Sequence, residues 1–191
     1  MEESRRRGRQ VLVLIGALFL VPLAISFALY YGQWRPSGSS SKGELITPAR
    51  PLDAAGLKQP DGRPAPDKVL TGKWSLIYIG DGACDAACRT ALVLGRQTRL
   101  ALNNEMTRVQ RVFLATDHCC DAGYFAAEQP GLIALDASAA RNLLAQFPAD
   151  RAHSLYVVDP LGNLMMRHDA AQTTEDLLSD LKKLLKLSHI G

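Results

Sequence analysis

Two cysteines set the chemical question. Cys84 and Cys88 stand in Gly82-Ala-Cys-Asp-Ala-Ala-Cys-Arg89, just after the apolar run Trp74-Ser-Leu-Ile-Tyr-Ile-Gly80. If both lie on a helix, an i to i+4 pair has Cβ atoms about 5–6 Å apart on one face, so the thiols can close a disulfide or grip one metal ion. A thiol at a helix start also gains from the unpaired amides and the dipole there, which favour thiolate. Two plainer readings stay open: small buried cysteines with no role, and a purely structural disulfide.

A second group follows in Asp117-His-Cys-Cys-Asp121. Neighbouring cysteines seldom bond to each other, because the small ring strains the peptide. Cys119 and Cys120 therefore have three readings: a thiol pair that exchanges with Cys84 and Cys88, metal ligands together with His118, or idle loop residues. His153 taken alone is a surface or capping histidine. His168 and His189 have no cysteine close in sequence and are expected to face solvent. Met165 and Met166 fall in an apolar run and read as packing residues rather than thioether metal ligands.

The elements that must position these residues are legible from residues 69 to 191, a stretch of 123 residues suited to one core. Trp74 to Gly80 is a β-rich run closed by glycine, and a proline-free helical segment runs from Cys84 to about Met106. Val109 to Ala115 and Gly131 to Leu135 supply two further strands, and Ala139 to Phe147 a helix. Ser154 to Val158 and Leu164 to Arg167 flank Asp159-Pro-Leu-Gly-Asn163, whose proline and glycine suit a turn between antiparallel strands. Thr173, three residues before Asp176, caps an amphipathic helix carrying Leu177, Leu178, Leu181, Leu184 and Leu185. Strand, helix, strand, then a hairpin and a closing helix is the order of an α/β thioredoxin-like fold, a central mixed sheet with flanking helices. Both cysteine groups fall at strand ends.

The chain of 191 residues carries 22 Lys+Arg against 19 Asp+Glu, with 47 % hydrophobic residues, which excludes a multi-domain enzyme, wholesale disorder and a cysteine-dense miniprotein. Residues 1 to 10 hold Arg5, Arg6, Arg7 and Arg9, and Val11 to Tyr31 is free of charge. At about 1.5 Å rise per residue such a helix spans about 30 Å, the thickness of a bilayer core. A cleavable signal peptide would be shorter and end in small residues, whereas this run ends in Leu29-Tyr30-Tyr31 with Trp34 beyond. The expected organisation is a cytoplasmic tail (1–10), a transmembrane anchor (11–31) with Pro22 as a potential kink, a flexible linker (32–68) and the thioredoxin-like domain (69–191). The linker expectation rests on six of the ten prolines and five glycines. Arginine before the span and the body after it give a single-pass bacterial inner-membrane protein with a periplasmic domain. Residues 69 to 191 hold 12 basic and 13 acidic residues, so a nucleic-acid partner gains no support.

The N-terminal anchor, the strand, Cys-x-x-x-Cys at a helix start and Ala152-His-Ser-Leu-Tyr-Val-Val-Asp-Pro-Leu-Gly-Asn163 together resemble the Sco/SenC proteins, thioredoxin-fold factors for copper delivery to cytochrome c oxidase. The resemblance implies that Cys84, Cys88 and His153 are copper ligands, with a cytochrome c oxidase subunit or another copper-assembly factor as partner. Two thiolates and an imidazole suit Cu(I) and tolerate Cu(II), although zinc accepts the same donors, so the preference for copper comes from the resemblance. Arg89 stands where that family has proline, the interval from Cys88 to His153 is short, and Asp117 to Asp121 replaces an Asp-Pro-rich loop. These departures mark a divergent branch. Three functions are distinguished: a copper chaperone or thiol reductase in oxidase assembly, a general disulfide oxidoreductase whose redox pair is Cys84 and Cys88, and a scaffold that docks without using its cysteines.

Overall fold

The computed structural model describes residues 2–32, 41–148, 153–188 and 190; Trp34, Ala152 and His189 lie outside them. It divides into two compact units, Met1–Ser39 and Ser40–Gly191. The first is one helix, α1 (Glu2–Tyr31), continuous through Pro22. Over Arg6–Tyr31 it is long and apolar enough to cross a membrane.

The second unit is a six-stranded sheet in the order β1-β6-β5-β2-β3-β4. Its strands are β1 (Glu44–Pro51), β2 (Trp74–Gly80), β3 (Val109–Ala115), β4 (Leu132–Asp136), β5 (Ser154–Val158) and β6 (Asn163–Asp169). β2, β3 and β4 are parallel, and β1, β6, β5 and β2 pair antiparallel. The helices are α2 (Ala86–Ala101), α3 (Ala122–Glu128), α4 (Arg141–Gln146) and α5 (Thr174–Leu187), with a 3-10 segment at Asn103–Arg108 after α2. This is the thioredoxin-like α/β architecture expected.

Side-chain alternation builds the two core layers. Trp74, Leu76 and Tyr78 of β2 point into one layer with Ala91 and Leu92 of α2, Phe125 of α3 and Leu177 and Leu181 of α5. Ile77 and Ile79 point into the other with Leu143 of α4 and Leu57. Buried on both faces, β2 reads as a continuous apolar run rather than an alternating one. α5 opens as the sequence predicts, Asp176 N donating to Thr173 Oγ1 at 3.2 Å.

Residues 41–68 depart from the expected linker, since the domain takes them up. β1 pairs along β6, Glu44 opposite Arg167 and Pro51 opposite Asn163. Lys58 exchanges backbone hydrogen bonds with Asp136 at 3.0 and 2.8 Å, and Leu57 is buried. Pro48 and Pro51 are compatible with this because β1 is an edge strand, where a missing N–H breaks no interior ladder. The proline and glycine content conceals a few apolar anchors, Ile46, Leu52 and Leu57, that suffice to hold the segment.

His168 also departs from expectation, being 1 % exposed. Two residues on from the buried Met166, it shares that residue's face of β6 and lies under α5. Its Nδ1 lies 2.8 Å from Gln172 Oε1, and its Nε2 lies 3.3 Å from Oδ2 of Asp180, also 1 % exposed. That carboxylate oxygen accepts from the backbone N–H groups of Lys42 (2.7 Å) and Gly43 (2.9 Å), and Gln172 Nε2 donates to Lys42 O at 3.0 Å. Gly43 fits because it lacks a side chain: a Cβ there would come within 2.6 Å of the His168 ring carbon Cδ2. Met166 is a core residue and Met165 packs beside it, in keeping with their reading as packing residues.

Candidate functional site

The C-terminal end of β2 organises the site. Beyond Gly80 the chain turns through Asp81, whose Oδ1 accepts from Ala83 N at 2.8 Å and whose backbone carbonyl accepts from Cys84 N at 3.0 Å. Cys84 takes a left-handed backbone, φ 47°, and lies outside α2, which begins after the N-cap Asp85. The two cysteines are therefore not both helical. Cys88 sits in the first turn, its N–H donating to Asp85 Oδ1 at 2.8 Å. Their Cα atoms are 5.2 Å apart and the sulfurs are bonded to each other. Both are buried, Cys84 1 % and Cys88 3 % exposed.

Parallel pairing brings the end of β3 beside the end of β2, and so brings Asp117 to Asp121 against the Cys84 turn. Gly82 N donates to Asp117 O at 2.8 Å, and Asp121 N donates to Gly82 O at 3.0 Å. Gly82 has no room for a side chain, since a Cβ would overlap the His118 carbonyl. Cys119 and Cys120 are bonded to each other, against expectation, in a loop pinned at both ends by these hydrogen bonds. Both are half-buried and pack on the cluster that contains Cys84 and Cys88.

Antiparallel pairing of β5 with β2 sets Leu155 opposite Tyr78 and so delivers His153, just before β5, to the same rim. A cavity of about 520 Å³ there is lined by Tyr78, Asp81, Cys84, Asp85, Cys88, His118 and His153, among others. The spatial meeting of Cys84, Cys88 and His153 expected from the sequence is thus found at the level of one shared cavity. Among the described residues four non-glycine positions have left-handed φ, and three of them, Cys84, His118 and His153, line it. Such backbone is uncommon for residues with a Cβ and clusters where a fold holds a functional arrangement.

His118 and His153 are exposed, and His118 Nδ1 lies 2.9 Å from Asp81 Oδ2. That hydrogen bond, followed by the charges of Asp117 and Asp81, raises His118 above the ordinary imidazole range. The Ala83 amide, and after it His118, lowers the Asp81 carboxyl. Burial, and then the Asp85 charge, raises the Tyr78 hydroxyl. With the cysteines paired as disulfides, no three His, Cys, Asp or Glu side chains among the described residues are grouped to hold a metal ion. The secondary ligand candidates Cys119 and Cys120 are likewise closed in this form.

Two positioning residues are not apparent from sequence. Arg89 Nε donates to Cys84 O at 3.1 Å, its guanidinium lies 3.7 Å from an Asp121 oxygen, and it stands 4.4 Å over the Tyr124 ring. Asp81 joins the Cys84 turn to His118. The Asp81-Gly82 dipeptide signals a turn, but not which loop it would touch.

A family model described as the transmembrane-like, thioredoxin-like, C-terminal domain matches residues 74–188. The chain belongs to this family. No curated protein sequence matches it. Among solved structures, apo Sco1 from Thermus thermophilus is similar at 22 % identity and a TM-score of 0.63, covering 78 % of this chain and 99 % of that one. Copper-bound yeast Sco1 is similar at 19 % identity and a TM-score of 0.59, covering 78 % and 95 %. BsSco, a member of the Sco family of cytochrome c oxidase assembly proteins in which a disulfide switch was identified, is similar at 18 % identity and 0.54, covering 73 % and 96 %. At these identities the likeness is one of fold, and the fold is that of the Sco proteins, as the sequence resemblance implies. Within the thioredoxin-like family, then, the cysteine-bearing rim of this member lies at the end of β2.

Proposed function

We propose that this family member is a single-pass protein of the bacterial inner membrane whose periplasmic domain uses Cys84 and Cys88 in thiol–disulfide exchange and, once they are reduced, carries copper in cytochrome c oxidase assembly. The observation that carries the reading is the shared cavity of Cys84, Cys88 and His153. The acceptor would be an oxidase subunit or another copper-assembly factor, as the similarity to Sco proteins suggests. The arginines before the apolar helix support the orientation.

Two electrons and two protons open the disulfide to two thiols. Cys84 then lies just before the first amides of α2, which favour thiolate, and shares its cavity with His118, which Asp81 keeps cationic to higher pH. Copper is cargo here. The donor set of two thiolates and one imidazole suits its monovalent form, and three protein donors leave room for hand-over to an acceptor's ligands.

Copper titration of the reduced full chain in detergent, for wild type, His153→Ala and Cys84→Ser/Cys88→Ser, tests this. His153→Ala is expected to weaken Cu(II) binding by about tenfold or more and Cu(I) less, because imidazole is the donor that Cu(II) prefers. Equal affinities in all three proteins would remove the copper role. A Cys84/Cys88 couple that still turns over an external dithiol in that case would leave a general disulfide oxidoreductase.

A further inference from the structure

Four cysteines in two bonded pairs share one apolar cluster, and they differ in access. Cys84 and Cys88 are 1 % and 3 % exposed, while Cys119 and Cys120 are only half-buried. An attacking thiolate must reach a disulfide sulfur directly. A small reductant can use the cavity to do so, and the cysteine of another protein, which brings bulky backbone with it, reaches the buried pair less readily. Of the two pairs, the half-buried one is the more exposed to such a partner.

The loops carrying the two pairs are stitched together. Gly82, two residues before Cys84, is hydrogen-bonded on one side to Asp117 and on the other to Asp121, the residues flanking the second pair. Its bare Cα lets the His118–Cys119 backbone lie directly against it, and a Cβ would stand 2.8 Å from Cys119 Cα. Arg89 ties the Cys84 carbonyl to Asp121 and Tyr124 from the helix side. Exchange between pairs held in this way would be intramolecular, at a high effective concentration.

We propose that Cys119–Cys120 is a second redox centre, the entry point through which an external protein dithiol reduces Cys84–Cys88. A thiolate of the external dithiol attacks one sulfur of Cys119–Cys120, and its second thiol resolves the mixed disulfide. The external protein leaves oxidised, and Cys119 and Cys120 have gained two electrons and two protons. One of these thiols, deprotonated, attacks Cys84–Cys88, forming an inter-pair disulfide and releasing one thiolate, which takes up a proton. The remaining thiol of the outer pair, deprotonated in turn, closes on its neighbour, breaking the inter-pair bond. Cys119–Cys120 is restored, and Cys84 and Cys88 are left as two thiols. The relay rests on the redox role of Cys84 and Cys88 proposed above.

The test uses the full chain in detergent, with reduced thioredoxin as the protein dithiol, a trialkylphosphine as the small reductant, and timed alkylation read by mass spectrometry. In wild type, alkylation by way of thioredoxin is expected to appear first at Cys119 and Cys120 and then at Cys84 and Cys88. In Cys119→Ser/Cys120→Ser, thioredoxin is expected to reduce Cys84–Cys88 at least tenfold more slowly, with the phosphine rate unchanged. Of the four double variants that keep one cysteine in each pair, at least one should form an intramolecular inter-pair disulfide on mild oxidation. Labelling of Cys84 and Cys88 first in wild type, an unchanged thioredoxin rate in the variant, or no inter-pair bond in any of the four overturns the relay and leaves the redox role of Cys84 and Cys88 standing. Failure of both reductants to open Cys84–Cys88 in every protein overturns that role and the relay with it.

Discussion

Two polar regions adjoin the β5–β6 hairpin and are built in opposite ways. Around His168 the imidazole and the Asp180 carboxylate are buried and held in place: Asp180 receives the Lys42 and Gly43 amides, and Gln172 bridges His168 to the Lys42 carbonyl. Around His153 the histidines are exposed, three backbones are left-handed, and the bonded sulfurs lie at a cavity. The first region fixes where the chain enters the domain, and the second holds side chains where another molecule can reach them. Leaving a buried polar group unpartnered is costly, and a partnered group has little freedom left for chemistry. A fold that needs both keeps them on different residues.

The comparison breaks most visibly at Asp180. Asp180→Ala leaves two backbone N–H groups and His168 without their buried carboxylate, and is expected to lower unfolding free energy by about 3 kcal/mol, measured by denaturant titration. The Cys84–Cys88 disulfide should still form. A loss of less than about 1 kcal/mol would mean that β1 is held by its ladder alone.

A smaller effect is expected at the rim. Cys84 and Cys88 are separated by four positions, and chain-entropy arithmetic for so short a loop gives about 2 kcal/mol. Cys84→Ser/Cys88→Ser should therefore remain folded, with its melting temperature lowered to the level of the reduced wild type. A larger loss would make the pair a structural staple and narrow the contrast between the regions.

The smallest effect at neutral pH sharpens the contrast as pH falls. Burial lowers the His168 pKa, outweighing the Gln172 hydrogen bond and the charges of Asp180 and Asp176 that pull the other way. Its folded pKa lies below its unfolded value, so the unfolded chain binds the proton more readily, and the difference costs stability as pH drops through and below about 6.5. Denaturation midpoints from pH 8 to pH 5 should fall more steeply for wild type than for His168→Gln. Parallel profiles would show that the imidazole does not titrate in this window.

Where residue pattern and burial agree, the sequence is readable. Trp74 to Gly80, Val109 to Ala115 and Ser154 to Val158 are strands at the bounds their apolar runs suggest, and Thr173 caps α5 as its spacing to Asp176 implies. The convergence of Cys84, Cys88 and His153 on one cavity follows once β2 and β5 are neighbours. β1 is not legible because its prolines resemble a tether, and only pairing with β6 gives them a place. His168 looks polar and free in sequence, yet its parity with Met166 sets it inward. The pairing of Cys119 with Cys120 depends on a loop anchored by backbone atoms of Gly82, which no side-chain pattern encodes.

Gly82 acts as a spacer of zero thickness between the cysteine loops. Because the His118–Cys119 backbone rests where its side chain would be, the close approach of the two loops depends on an atom that is missing. Adding one methyl there would lengthen the gap without altering any sulfur, ligand or charge. The spacing of the two cysteine loops is therefore an adjustable quantity, with its control placed outside the sulfurs.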